Sequence, residues 1–158
     1  MKITILGSGT STGVPQIGCK CEVCTSHDPH DKRLRCSGLV EVNGVRILID
    51  CGPDFREQCL RLPEFGPIDG VLITHEHYDH VGGLDDLRPF CVFNTVNIYG
   101  EAEVVRHLSE RMPYCFGPGK YPSAPSLKLN VISPYNAFQV HDICIEPLRV
   151  MHGKLPII

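Results

Sequence analysis

A mixed α/β fold, with strands and helices layered on one another, is what this sequence predicts. Three observations carry that expectation. Short apolar runs that read as strands alternate with stretches of helical period. An Asn43-Gly44 pair sits between two such runs, a strong hairpin signal. The buried-strand run GVLIT, residues 70–74, leads straight into a cluster of ligand-type side chains, THEHYDHVGG, residues 74–83.

The elements follow in order. KITIL (2–6) alternates β-branched and other residues and stops at Gly7, so a strand is expected. GSGTSTGVPQIG (7–18) holds four glycines and a proline and reads as a loop. A cysteine cluster and a polar stretch, TSHDPHDKRLR, come next. GLVEVNGVRILID (38–50) is two strands around the Asn-Gly turn. Residues 54–62 suit a short helix, with Asp54 as candidate cap and Pro63 as its end. After GVLIT, residues 81–87 start a helix that Pro89 limits. VNIYG (96–100) is a strand, and AEVVRHLSERM (102–112) carries Val104, Val105, Leu108 and Met112 at helical spacing. PYCFGPGKYPSAPS (113–126) is expected as a long loop. LKLNVI, AFQV and ICIEPLRVM read as strands. No internal repeat is visible.

A length of 158 residues suits one domain over 1–158, with the glycine-rich and cysteine loops (7–36) inside it. At 42% hydrophobic and 21% charged, the composition is that of an ordinary globular protein. A net charge of −3 gives no global basic field, so neither nucleic acid nor an anionic membrane is an expected partner. No apolar run approaches the ~18 residues a membrane span needs. The run before Gly7 is too brief for a signal-peptide core, and a cytoplasmic protein is expected. Nine cysteines, an odd number with no export signal, argue against a disulfide framework. Six of them (Cys36, Cys51, Cys59, Cys91, Cys115, Cys144) are scattered and read as small hydrophobic fillers.

His75, His77, Asp79 and His80 are the candidate metal ligands. Side chains two apart in an extended segment point the same way, so His75 and His77 can reach one metal from a strand end. Asp79 and His80 follow after the chain turns and can reach a second position close by. Imidazole with carboxylate suits zinc, manganese or iron. The spacing is not the H-E-x-x-H helix of a metalloprotease, because the second histidine comes too early. A solvated histidine-rich loop is the bland alternative. Four ligand types in H-x-H-x-D-H order, between a buried strand and Gly82-Gly83, argue against it. Cys19, Cys21 and Cys24 form C-x-C-x-x-C, three thiolates within six residues. A closed tetrahedral zinc shell needs a fourth ligand, with His27, His30 and Cys36 as local candidates. Unligated thiols on a loop are the alternative.

H-x-H-x-D-H after a hydrophobic strand resembles the signature of the metallo-β-lactamase superfamily. Asp50, ending the strand in ILIDCG, and His152, in RVMHGKLPI, stand where that family has an early aspartate and its next ligand histidine. The resemblance covers essentially the whole chain. It implies an αββα sandwich, two β-sheets with helices outside, and two divalent metals, zinc or manganese. His75, His77 and His152 would bind the first metal; Asp79 and His80 would bind the second, with Asp79 also assigned to catalysis. A bridging aspartate and a last histidine come later in that family. GSGTSTGVPQIGCKCEVC (7–24) resembles the opening of the branch that contains the phosphoribosyl 1,2-cyclic phosphate phosphodiesterases and is related to the transfer-RNA 3′-processing endonucleases. In that branch the cysteines hold a structural zinc completed by a late histidine. The neighbouring pyrroloquinoline-quinone biosynthesis protein B branch has a similar cysteine loop; the intact histidine motif and the GTSTG turn favour the phosphodiesterases.

The implied activity is hydrolysis of a small phosphodiester, a cyclic phosphate or nucleotide ester, by a hydroxide held between two metals about 3.5–4 Å apart. The glycines between Gly7 and Gly13 either expose N–H groups to a phosphate or serve tight packing. A lactone or thioester hydrolase and a non-hydrolytic metal protein are the rival readings; low basic content disfavours an RNA endonuclease. The chain stops at KLPII, the start of a strand, while the resembling family continues past its counterpart of His152. The expectation is the front part of a longer protein. An apolar sheet face would then want covering, by the missing half or by a partner chain as in a homodimer.

Overall fold

Alternating strands have two faces to bury, and the structure, a computed structural model describing residues 1–118 and 121–158, gives each face its own partner. Six strands form one sheet: β1 (Lys2–Gly7), β2 (Ser37–Val42), β3 (Val45–Ile49), β4 (Gly70–Leu72), β5 (Val96–Gly100) and β6 (Leu127–Val131), side by side in that order. The first three pair antiparallel, and β3 to β6 pair parallel. Asn43 and Gly44 join β2 to β3 with φ of 51° and 83°, the left-handed pair a tight hairpin turn requires.

Between β1 and β2 lies helix α1 (Glu22–Thr25) in the cysteine loop. Parallel neighbours need crossovers. Helix α2 (Phe55–Leu60) joins β3 to β4, and α3 (Tyr78–Val81) with a 3₁₀ segment, Leu84–Val92, joins β4 to β5. Helices α4 (Ala102–Arg111) and α5 (Pro113–Phe116) join β5 to β6. All these crossovers pack on one face. Leu48, Val71, Ile73, Val96 and Ile98 of the sheet region bury against Phe55, Leu84, Leu87, Phe90, Val104 and Leu108. On the other face Val45, Ile47, Leu72 and Tyr99 meet the hairpin of β7 (Phe138–Val140) and β8 (Ile143–Ile145). Tyr99 stacks on Phe138 with ring centres 4.9 Å apart. Ile3 and Ile5, on the β1 edge of this face, lie outside that cluster and are 57% and 67% exposed. A last hairpin, β9 (Val150–His152) and β10 (Leu155–Ile157), stands apart from the main sheet.

Four expectations need correction. Pro89 does not limit its helix: it lies on the exposed side of the 3₁₀ segment, where it costs one N–H and no packing. The buried residues there, Leu84, Leu87 and Phe90, recur every third position, the 3₁₀ period. ICIEPLRVM is not one strand but two, because Pro147 lacks an N–H and its carbonyl turns to accept from Tyr135 N–H at 2.7 Å. The 113–126 loop opens with α5, whose first turn accommodates Pro113; Gly119 and Lys120 of that loop lie outside the described residues. Asp54 occupies the N-cap of α2 but its carboxylate makes no cap bond. It accepts instead from Arg35 N–H at 2.8 Å and Arg35 Nη1 at 2.7 Å, tying the helix to the segment before β2.

Because β1 runs with β3 to β6, five carboxyl ends lie on one edge, and β2 starts there. Loops at that edge are where open α/β sheets place their sites. The loops are packed backbone to backbone. A Cβ on Gly7 would stand 1.9 Å from Arg35 O, so this glycine serves packing. A Cβ on Gly52 would stand 2.0 Å from Asp79 O, inside the histidine stretch. Gly52→Ala is therefore expected to push that stretch away and destabilise the protein by about 1–3 kcal/mol. Thermal unfolding checks this, and an unchanged melting temperature would show slack between the two loops.

Candidate metal centre

Strand β4 ends at Leu72, Ile73 N–H still bonds Tyr99 O at 2.9 Å, and Thr74 then leaves the sheet. His75 is buried, with Nδ1 3.0 Å from Thr74 Oγ1 and Nε2 3.1 Å from His77 Nδ1. His77 is the N-cap of α3, so the chain turns where the sequence predicted, and Asp79 and His80 ride on the helix. His152 arrives from β9, its ring centre 5.2 Å from that of His75 and 5.6 Å from that of His77. One ligand atom from each of His75, His77 and His152 lies within 4.8 Å of the other two. Burial first, then the neighbouring His80 and His77, pushes the His75 pKa down. It is thereby held neutral, the form that binds a metal. The donor set fits a divalent cation.

Asp79 and His80 lie beside this trio, the His80 ring 4.1 Å from the His75 ring. They face each other, His80 Nε2 3.2 Å from Asp79 Oδ2. Among the described residues they form a pair, with no third side chain at ligand spacing. The other nitrogen, His80 Nδ1, is 2.7 Å from Asp50 Oδ2. A carboxylate can only accept, so Nδ1 donates to Asp50, which fixes the ring with Nε2 turned toward Asp79. Burial lowers the His80 pKa, but the hydrogen bond and charge of Asp50 outweigh it and raise the pKa overall.

Asp50 is the anchor. It is 3% exposed and sits directly after β3 at φ 58°, in the left-handed region. Its carboxylate also accepts from Thr74 N–H and Thr74 Oγ1, each at 2.9 Å. Ser37 Oγ donates to Asp50 O at 2.9 Å. The sequence marked Asp50 by its place after an apolar strand and by the family resemblance, and did not mark Thr74 or Ser37. The signal was there for Thr74, a hydroxyl residue closing a buried strand immediately before the ligand run.

The sulfurs of Cys19, Cys21 and Cys24 also lie within 4.8 Å of one another. Gln16 N–H points at Cys24 Sγ at 3.4 Å. The Cys21 thiol pKa is lowered, first by the Cys24 backbone N–H, whereas that of Cys24, drawn down by Gln16 N–H, is raised overall by Cys19, burial and Cys21. Three converging sulfurs, two of them accepting from backbone N–H groups, suit a thiolate site for zinc. His30, a local candidate for the fourth ligand, is exposed and bonds Asp28 through Nδ1 at 2.8 Å. Neither it, His27 nor Cys36 joins the trio among the described residues. No disulfide is formed among the described residues. No described helix is long and apolar enough to cross a membrane.

Known proteins bear on these two clusters. Residues 45–157 match the model of the beta-lactamase superfamily domain. The chain is 52% identical over 159 residues to an octanoyltransferase of Porphyromonas gingivalis, a match that spans 100% of this chain and 32% of that protein. The crystal structure of a diphosphatase from the PhnP family superposes with a TM-score of 0.87 at 40% identity, covering 98% of this chain and 59% of that one. Zinc-bound PqqB from Methylobacterium extorquens superposes with a TM-score of 0.78 at 25% identity, covering 95% of this chain and 52% of that one.

Asp50→Asn keeps a residue that tolerates the left-handed backbone but removes the carboxylate from His80. We expect metal affinity at the histidine site to fall roughly 10–100-fold, read by competition with a chelator. Unchanged affinity would deny Asp50 its orienting role. Cys21→Ser should strip zinc from the sulfur trio and lower the melting temperature, since ligation is linked to folding. Elemental analysis decides: zinc content equal to wild type would mean that these cysteines are not a metal site.

Proposed function

This chain belongs to the beta-lactamase superfamily, and from that premise we propose that it is a metal-dependent hydrolase of small phosphate esters, a phosphodiesterase. The observation that carries the reading is the convergence of His75, His77 and His152 beside the Asp79–His80 pair. The diphosphatase that matches nearly all of this chain at 40% identity supports the phosphoryl chemistry. His75, His77 and His152 would hold one divalent cation, zinc or manganese, and Asp79 with His80 would contribute to a second. Such a cation lowers the pKa of a water and offsets charge on phosphoryl oxygens. The chain's own residues do the rest. Asp50 and Thr74 hold His80 and His75 in register, and Asp79 Oδ2, facing His80 Nε2 at 3.2 Å, would join it in holding the second cation. The sulfur trio would hold a separate structural zinc. An odd count of nine cysteines fits a reducing cytoplasm. The ligand is a small phosphodiester rather than nucleic acid, given the net charge of −3.

A second reading is hydrolysis of an acyl ester or thioester. It is favoured by one observation, the 52% identity of this chain to about a third of an octanoyltransferase. A centre that activates water serves carbonyl carbon as readily as phosphorus.

The test is turnover by the full chain, loaded with zinc or manganese, of a cyclic nucleotide and of an octanoyl thioester. We expect hydrolysis of the phosphodiester, abolished in His77→Ala and Asp79→Ala proteins that remain folded by circular dichroism. Turnover of the thioester alone would transfer the assignment to the second reading. Near-wild-type turnover in His77→Ala would end the metal mechanism, and turnover of neither substrate would leave a non-hydrolytic metal protein.

A further inference from the structure

His152 is the metal-site histidine with the least support from its own element. Its strand β9 pairs only with β10, and Val150, Met151 and His152 are all exposed. His75 and His77, by contrast, follow directly from a strand inside the main sheet. Among the described residues the β9–β10 hairpin bonds the body through its main chain only by Ile158 N–H to Thr74 O, a long 3.4 Å. Something else must hold this hairpin over the site.

Arg149, the residue before β9, meets Glu101 in a two-pronged ion pair. Nη1 donates to Oε2 at 2.6 Å and Nη2 to Oε1 at 2.5 Å. Two parallel N–H···O bonds fix direction as well as distance, which a single-point contact does not. Both side chains are largely shielded, 29% and 21% exposed. Glu101 is itself fixed, because it follows β5 and is the N-cap of α4. An acceptor at an N-cap ordinarily satisfies the helix's free N–H groups. The Glu101 side chain makes no cap bond and is committed to Arg149 instead. The pair lines a cavity of about 390 Å³ whose walls also include Thr74, His75, Leu155 and Pro156, and so lies between the histidine stretch and the β9–β10 hairpin.

We propose that the Glu101–Arg149 pair is the positioning device that brings His152 to the metal site, bridging the end of β5 to the start of β9. The inference rests on the metal-centre reading above. Cobalt(II), bound to the full chain, separates the two. Its unpaired electrons shift the ring N–H proton signals of each ligating histidine, and His152→Ala identifies the one from His152. The wild type should show signals from His75, His77 and His152. Arg149→Ala should lose the His152 signal, keep the other two and bind cobalt roughly 10–100-fold more weakly. Glu101→Gln, which keeps the size of the side chain, should do the same, and it decides the matter if Arg149→Ala does not fold. Arg149→Lys, with charge but no fork, should fall between. A pair with a merely structural role would lower the melting temperature and leave three signals and full affinity, and that result overturns the proposal. No shifted histidine signal in the wild type would overturn the metal reading and this inference with it.

Discussion

The Asp50 carboxylate is the constraint on which the rest of the site depends. It is buried, it stands at the end of a central strand, and it accepts from the main chain and side chain of Thr74 and from the ring of His80. A buried carboxylate is costly unless every lone pair has a donor, so the three partners are obligatory rather than incidental. The left-handed backbone at Asp50 turns the carboxylate back over the strand ends. Ser37 secures that turn by donating to the Asp50 carbonyl. Two parallel strands are joined in this way exactly where main-chain pairing between them stops, since Asp50 N–H still bonds Leu72 O at 2.9 Å.

The site has two kinds of ligand, and they are held differently. His75, His77, Asp79 and His80 come from one short stretch whose turn is pinned by Asp50 and by close backbone contact at Gly52. Cys51 N–H also bonds His80 O at 2.8 Å, and Gly83 N–H bonds Cys51 O at 2.9 Å. His152 comes from a distant, exposed hairpin. Local ligands are placed by strand and turn geometry; a remote one needs a tertiary contact. The sulfur trio is a third case, local in sequence and closed by the first turn of α1 on Cys21.

This difference explains what could be read from the sequence. The hairpin at Asn43-Gly44, the strand before His75 and the H-x-H-x-D-H turn are local, period-driven features, and the structure has them. His152 had no spacing of its own to mark it and was placed only through resemblance. The errors share a cause. Pro89 was read as a stop and Pro147 was read through, yet the packing around each decides: the first is accommodated in a 3₁₀ segment set by buried Leu84, Leu87 and Phe90, and the second divides what was read as one strand. Asp54 was read as a helix cap, while a long-range partner, Arg35, claims it. Neither the Arg35–Asp54 pair nor the Glu101–Arg149 pair has any signature in a single sequence, because each joins residues far apart in the chain.

The gathering of carboxyl ends on one edge divides the molecule into a frame and a rim. Helices, 3₁₀ segment and strand interiors hold the apolar contacts of the frame, and none of the proposed ligands belongs to that core, buried His75 included. The rim consists of loops whose side chains are mostly free of packing duty. Selection can therefore redraw substrate preference by exchanging rim residues while the frame stays silent. A superfamily built this way can move from one ester to another with few substitutions, and it is likeness in the rim that bears on which ester is cleaved.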